Sequence, residues 1–197
     1  MIKLGVTGGL GSGKTTASKF FADKGAVVFD ADSEAKTHML HTNSLQKKLF
    51  NVFGNSIKNV HNKLDFAALA ATAFSNPMDQ KILNGIIWPE VYLLVEKAVQ
   101  KCTEENIELF VLDAALLIEA RYSHFFDYVL LITADEDTRI KRARRRGNLS
   151  DDQIKKRMDL QMMDEEKKQF ATHCIDNNES IDDFKTKLET FYSSLKR

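Results

Sequence analysis

Residues 8–16 read Gly-Gly-Leu-Gly-Ser-Gly-Lys-Thr-Thr, and no other stretch of the 197-residue chain restricts the fold as far. Gly8, Gly13, Lys14 and Thr15 satisfy the phosphate-loop pattern: Gly, four free positions, then Gly-Lys-Ser/Thr. A polyphosphate needs many donors at close range, and backbone N–H groups supply them only where no side chain intervenes. Lys14 can reach the β- and γ-phosphates, and the Thr15 hydroxyl is of the type that binds Mg²⁺. The preceding Ile2-Lys3-Leu4-Gly5-Val6-Thr7 suits a buried parallel strand. After the loop, Ala17, Phe20 and Phe21 fall on one helical face, and Gly25 can end that helix. The helix points its positive end at the anion. Strand, loop and helix stand in the order a nucleotide site requires.

A length of 197 residues allows one domain with insertions, or a domain plus a small appendage. Residues 26–30 form a second apolar run, ending in Asp30-Ala31-Asp32. If strand geometry persists, Asp30 and Asp32 project to the same side. Acids just past a strand's C-terminal end in an α/β sheet stand where ligands bind. One of them could orient a hydroxyl and accept its proton. Equally, the pair could be a helix N-cap and a first-turn acid, because Ser33-Glu34-Ala35-Lys36 looks helical.

Residues 45–106 carry helical rather than strand periodicity. Leu45, Leu49, Val52 and Phe53 share a face, with Gly54 placed to end that helix; Phe66, Leu69, Ala70 and Ala73 share another, stopped near Asn76-Pro77. Residues 83–87 lead to Trp88-Pro89, beyond which Val91, Leu94, Val95, Ala98 and Cys102 recur at helical spacing. Such a block can hold a phosphate acceptor, or it can serve packing alone. Asn62-Lys63-Leu64-Asp65 imitates a guanine-reading signature. The residues before it are too polar for the buried strand that signature ends, and no Asp-x-x-Gly occurs in the chain, so the match is accidental.

Leu109-Phe110-Val111-Leu112-Asp113 is the next buried strand, and its terminal acid can help hold Mg²⁺ or simply cap the loop. Residues 128–133 make a fourth apolar strand, and residues 174–177 a short fifth. Between them six of the eight residues 139–146 are basic. Arg139, Arg142 and Arg146 share a helical face. They can close over a nucleotide and neutralise γ-phosphoryl charge, or form a nucleic-acid patch. The phosphate loop already demands a charge-neutralising partner, which favours the first. Lys+Arg and Asp+Glu both total 28, so the balance argues against a protein that coats nucleic acid. Ser150 starts a further helix, and Ile181, Phe184, Leu188, Phe191 and Leu195 make an amphipathic C-terminal one. Two widely spaced cysteines build neither a disulfide framework nor a zinc site. No signal peptide or membrane-length apolar run is visible, which suggests a soluble cytoplasmic protein.

These motifs, in this order and spacing, resemble the dephospho-coenzyme A kinase family over nearly the whole chain. Residues 7–16 are similar to that family's phosphate loop. Asp30-Ala31-Asp32 matches its Asp-Ala-Asp, and Leu116-Leu117 with Glu119 matches its Leu-Leu-x-Glu segment. Arg142 and Arg146 match its lid arginines, Arg157 with Gln161 its Arg-x-x-x-Gln, and Ile175-x-Asn177 its Ile-x-Asn near the adenine. Trp88, Ala115, Phe66 and Thr172 depart from the pattern, replacing histidine, proline, arginine and aspartate respectively.

The resemblance implies a P-loop nucleotide-kinase fold: a five-stranded parallel sheet flanked by helices, with a core of 1–59, 91–137 and 171–197, a helical acceptor-binding insert near 60–90 and a lid near 138–170. It implies transfer from ATP to the ribose 3′-hydroxyl of dephospho-coenzyme A. Asp32, Lys14 and Arg142 would be catalytic. Gly11, Ser12, Gly13, Lys14, Thr15, Thr16, Arg142, Arg146 and Asn177 would hold ATP, with Thr15 and Asp113 holding Mg²⁺. Asp32, Leu117 and Glu119 would face the acceptor. The expected partner is that small molecule, with no nucleic acid and no membrane, in a monomer or small homo-oligomer. The alternatives are a kinase of another acceptor, such as a nucleoside monophosphate, and an ATP-binding regulatory module that transfers nothing.

Overall fold

The computed structural model describes residues 1–147 and 149–195. The described elements are, in chain order, β1 (Ile2–Thr7), α1 (Lys14–Asp23), β2 (Val27–Asp30), α2 (Ala31–His41), α3 (Asn43–Phe53), α4 (Phe66–Ala73), α5 (Pro77–Glu104), β3 (Leu109–Asp113), β4 (Tyr128–Thr133), α6 (Glu136–Arg145), α7 (Asp151–Asp159), α8 (Asp164–Lys168), β5 (His173–Asp176) and α9 (Ile181–Leu195). They divide into two compact units, one of Met1–Asp30 with Lys97–Arg197 and one of Ala31–Glu96.

The first unit is built on a five-stranded parallel sheet in the order β2-β3-β1-β4-β5. Its central strands are apolar on both faces, as the uninterrupted sequence runs require. Leu4, Val6, Val111, Leu130 and Ile132 join Ala17 and Phe21 of α1 and Phe184, Leu188 and Phe191 of α9 in one core. Ile181 leaves the apolar stripe expected for α9: as the first residue of the helix it is half exposed, and burial starts at Phe184. In register, Val6 and Asp30 both stand opposite Asp113, so β1, β2 and β3 end level with one another. That level edge is where chain enters the glycine loop.

Strand β5 is the sheet's edge, and Thr172 sets its start. The Thr172 N–H and hydroxyl both donate to the Val129 carbonyl (2.9 and 3.1 Å), and the same hydroxyl accepts from the Val129 N–H at 3.0 Å. The aspartate of the family pattern could accept here but not donate from its ionised side chain.

The second unit is helical, with Met39, Leu45, Leu49, Ile57, Leu64, Leu69 and Ile86 as its core. Of the two local geometries open for Asp30-Ala31-Asp32, the structure has the helical one: β2 stops at Asp30, helix α2 begins at Ala31, and Asp32 is an exposed acid of its first turn. A single helix, α5, runs through Pro89. Proline removes one N–H and crowds the carbonyl four residues back. That residue is Gly85, whose Cβ position meets nothing, and Ile86 and Val95 on either side of Pro89 are buried. Packing of the flanking turns therefore overrides the local break.

The guanine-signature mimic is a turn and a cap. Asn62 takes a left-handed conformation, and Asp65 accepts from the N–H groups of Ala67 and Ala68 at 2.8 and 3.1 Å as the N-cap of α4. Among the described residues no helix is long and apolar enough to cross a membrane. Asp65→Ala is expected to lower stability by about 1 kcal/mol in urea titration while leaving nucleotide preference unchanged.

Candidate active site

The loop between β1 and α1 is held from outside by four side chains of the chain's C-terminal third. The Leu10 N–H donates to Gln161 Oε1 at 2.9 Å, and the Leu10 carbonyl accepts from Arg139 Nε at 3.0 Å. Two residues on, the Ser12 carbonyl accepts from Asn177 Nδ2 at 2.7 Å and Arg142 Nη1 at 3.4 Å. Arg142 Nη2 lies 3.5 Å from Asn177 Oδ1. Within the loop, the Ser12 N–H donates to the Gly9 carbonyl at 3.1 Å. Gly11 has φ of +80°, and a Cβ there would strike the Arg139 carbonyl oxygen, so no other residue type fits without shifting α6.

Helix α1 begins directly behind this loop. Its N-cap is Gly13, no side chain caps it, and its first turn carries no acid. The positive end of the helix is thus left to an anion. Ser18, one turn into α1, donates its hydroxyl to Asp113 Oδ2 at 2.7 Å, which brings the β3 carboxylate beside that turn. Thr15 and Asp113 are a hydroxyl and a carboxylate, the hard oxygen donors Mg²⁺ takes. The Ser12 hydroxyl is buried with no partner among the described residues.

The segment after β3 is fixed by a residue that local sequence did not single out. Lys167 of α8 is fully buried. Its ammonium donates to Glu119 Oε1 at 3.0 Å and to the Ala115 carbonyl at 3.4 Å, and the Thr7 hydroxyl donates to that same carbonyl at 3.3 Å. Glu119 Oε1 also accepts from the Met162 N–H at 3.1 Å, while its Oε2 is buried without a partner among the described residues. Arg139 Nη1 meets Asp164 at the start of α8 at 3.5 Å. The stretch from Gln161 to Lys167 therefore ties the loop's apex to the segment following β3. Lys167 lies in a run of five charged residues, 164–168, which by itself reads as a solvated face.

The site residues expected from sequence are distributed as follows. Gly11, Ser12, Gly13, Arg142 and Asn177 are brought together at the loop, with Lys14, Thr15 and Thr16 opening α1, and Asp113 adjoins that helix. Arg146 is the exposed C-cap of α6, and Arg144 is taken by Asp151 at 2.7 Å. Leu117 is buried, packed beside Gly5 of β1. Asp32 belongs to the second unit. Arg139 and Lys167 enter as further members. Both cysteines are free, and burial pushes the Cys102 thiol up, away from thiolate chemistry.

A glycine loop gripped between β1 and α1 of a parallel sheet defines a phosphate-loop kinase fold. A shikimate kinase from Acinetobacter baumannii shares that fold at a TM-score of 0.52 and 14% identity, over 99% of this chain and 93% of its own. A solved structure from Thermus thermophilus, TT1252, superposes at a TM-score of 0.80 and 30% identity, over 98% and 97% of the two chains. The family model described as dephospho-CoA kinase matches residues 2–183, and a dephospho-CoA kinase of Salinibacter ruber is 35% identical over 98% of this chain and 96% of its own. The chain belongs to the dephospho-CoA kinase family.

Breaking the Lys167–Glu119 pair from one side leaves a buried carboxylate unpaired. Lys167→Met is expected to cost about 3–5 kcal/mol of stability in chemical denaturation, and Glu119→Gln added to it to recover part of that loss.

Proposed function

We propose that this chain transfers the γ-phosphoryl group of ATP to the ribose 3′-hydroxyl of dephospho-coenzyme A, giving coenzyme A and ADP in the last step of coenzyme A biosynthesis. The observation that carries this reading is the family match over residues 2–183, supported by a glycine loop whose Leu10 and Ser12 carbonyls are held by Arg139 and Asn177. The backbone of residues 11–16 and the Lys14 ammonium receive the β- and γ-phosphates. Arg142 and Arg146 add positive charge where the transferred group passes. Thr15 and Asp113 would hold Mg²⁺, which when bound neutralises charge on the β- and γ-oxygens.

Asp32 aims the acceptor hydroxyl in line and takes its proton. A loose transition state needs little proton removal before bond formation, so orientation is the larger part of its work. Glu119 and the turn carrying Leu117 border the acceptor, and the helices near 60–90 bind the rest of it. Residues 138–170 serve as a lid. Closure excludes water, which would otherwise take the phosphoryl group. A cytoplasmic location suits the chemistry, since ATP is supplied there.

Pure protein given ATP, Mg²⁺ and dephospho-coenzyme A is expected to yield, by mass spectrometry, an acceptor carrying one added phosphate and ADP in equal amount. Phosphorylation of a nucleoside monophosphate instead, or of nothing, would replace this reading by one of its alternatives. Asp32→Asn is expected to bind ATP normally and to lose roughly 10²–10⁴ in turnover. Near-normal turnover in steady-state assays would remove Asp32 from the mechanism.

A further inference from the structure

Asn177 is buried, 6% exposed, immediately beyond β5. Its own N–H donates to the Thr133 carbonyl at the end of β4 at 2.9 Å, which staples its backbone to the sheet. From there its side-chain amide gives a 2.7 Å hydrogen bond to the Ser12 carbonyl, the shortest of the four external contacts on the loop, and its oxygen faces Arg142. The fit is reciprocal. Gly13 has φ of +114°, and a Cβ on it would run into the Asn177 amide nitrogen.

A glycine-rich segment does not by itself choose which way its peptides face. Glycine crosses φ space at little cost, so the Ser12–Gly13 unit can present either its carbonyl or its N–H to the ligand side. The peptide is trans, so the two groups point in opposite directions. Holding the carbonyl against Asn177 turns the Gly13 N–H the other way. Flipped, the same unit would set a carbonyl oxygen against phosphate oxygens. The Arg142 contact, at 3.4 Å, is too long to impose the choice alone.

We propose that Asn177 is a positioning residue for the triphosphate: it serves ATP by fixing the Ser12–Gly13 peptide, not by contacting the base. This rests on the reading of residues 8–16 as the phosphate site and is independent of the acceptor's identity. Asparagine is the side chain that fits. Aspartate would oppose an oxygen to the Ser12 carbonyl, leucine has no donor, and glutamine is one methylene too long for a side chain already in contact.

The test separates phosphate from base and uses no acceptor. Calorimetry on the full chain would measure inorganic tripolyphosphate and ATP, and saturation-transfer NMR would measure adenosine, for the native protein, Asn177→Asp and Asn177→Ser. Tripolyphosphate and ATP are expected to weaken by the same factor, about ten- to a hundredfold in Asn177→Asp and less in Asn177→Ser, which keeps a hydroxyl donor. Adenosine binding is expected to stay unchanged. Loss of adenosine binding with tripolyphosphate unaffected would overturn the proposal, as would retention of all three affinities. Circular dichroism checks the fold of each variant. If both variants unfold, the native protein still decides. Its Gly13 amide resonance should shift on adding tripolyphosphate and not adenosine, and a resonance that ignores tripolyphosphate would refute the assignment. Failure of phosphoryl transfer to dephospho-coenzyme A would leave these binding results untouched, so the two readings fail separately.

Discussion

An anion site made of peptide groups works only while those peptides keep their orientation, and in this protein the orientation comes from outside the loop. Leu10 is held at both its N–H and its carbonyl, and Ser12 at its carbonyl, by side chains at positions 139, 142, 161 and 177. Strand β1 fixes where the loop starts and α1 where it ends. The apex between them is mostly glycine, with Leu10 and Ser12 as its only side chains. The N-terminal site therefore depends on the C-terminal third being folded.

The parallel sheet makes that dependence geometrically cheap. Strand β4 lies beside β1 and β5 beside β4, so segments leaving the ends of β4 and β5 emerge next to the loop that leaves β1. Helix α6 follows β4 and supplies Arg139 and Arg142; Asn177 follows β5. The buried Lys167–Glu119 pair extends the same tie to the segment after β3. Arg139 is paired with Asp164 and Lys167 with Glu119, whose second oxygen is buried without a partner among the described residues. Such a pair contributes less to net stability than to holding the two segments in a single arrangement.

The second unit follows simpler rules. Its core is a set of helical apolar faces, and its caps are local, as at Asp65. Phe66, where the family pattern carries an arginine, is half-buried and packs against that core, so the departure places an apolar side chain where the pattern has a cation. Thr172 is a comparable exchange in the first unit, because its hydroxyl both gives and accepts hydrogen bonds at the start of the β4–β5 pairing. These two departures are explained by packing and hydrogen bonding. Trp88 is half-buried within α5, and nothing in the structure explains its replacing histidine.

By itself the sequence determined whatever depends on neighbours along the chain: the phosphate loop with its strand and helix, the apolar runs that became β1 to β4, the capping box at Ser150, and the amphipathic face of α9 from Phe184 onward. Period, turn chemistry and capping act over a few residues, so they can be read locally. Tertiary structure alone decided that α5 continues through Pro89, that strand alternation ends before Asp32, that Leu117 is buried beside β1, and that Lys167 is buried rather than solvated. It alone also decided which of six clustered basic residues meet the loop: they span just over two helical turns, and Arg139 and Arg142 are the ones that bond to it. Those outcomes turn on contacts between residues from about fifty to more than a hundred positions apart, or on burial that compensates a local cost, and no short window of sequence contains either.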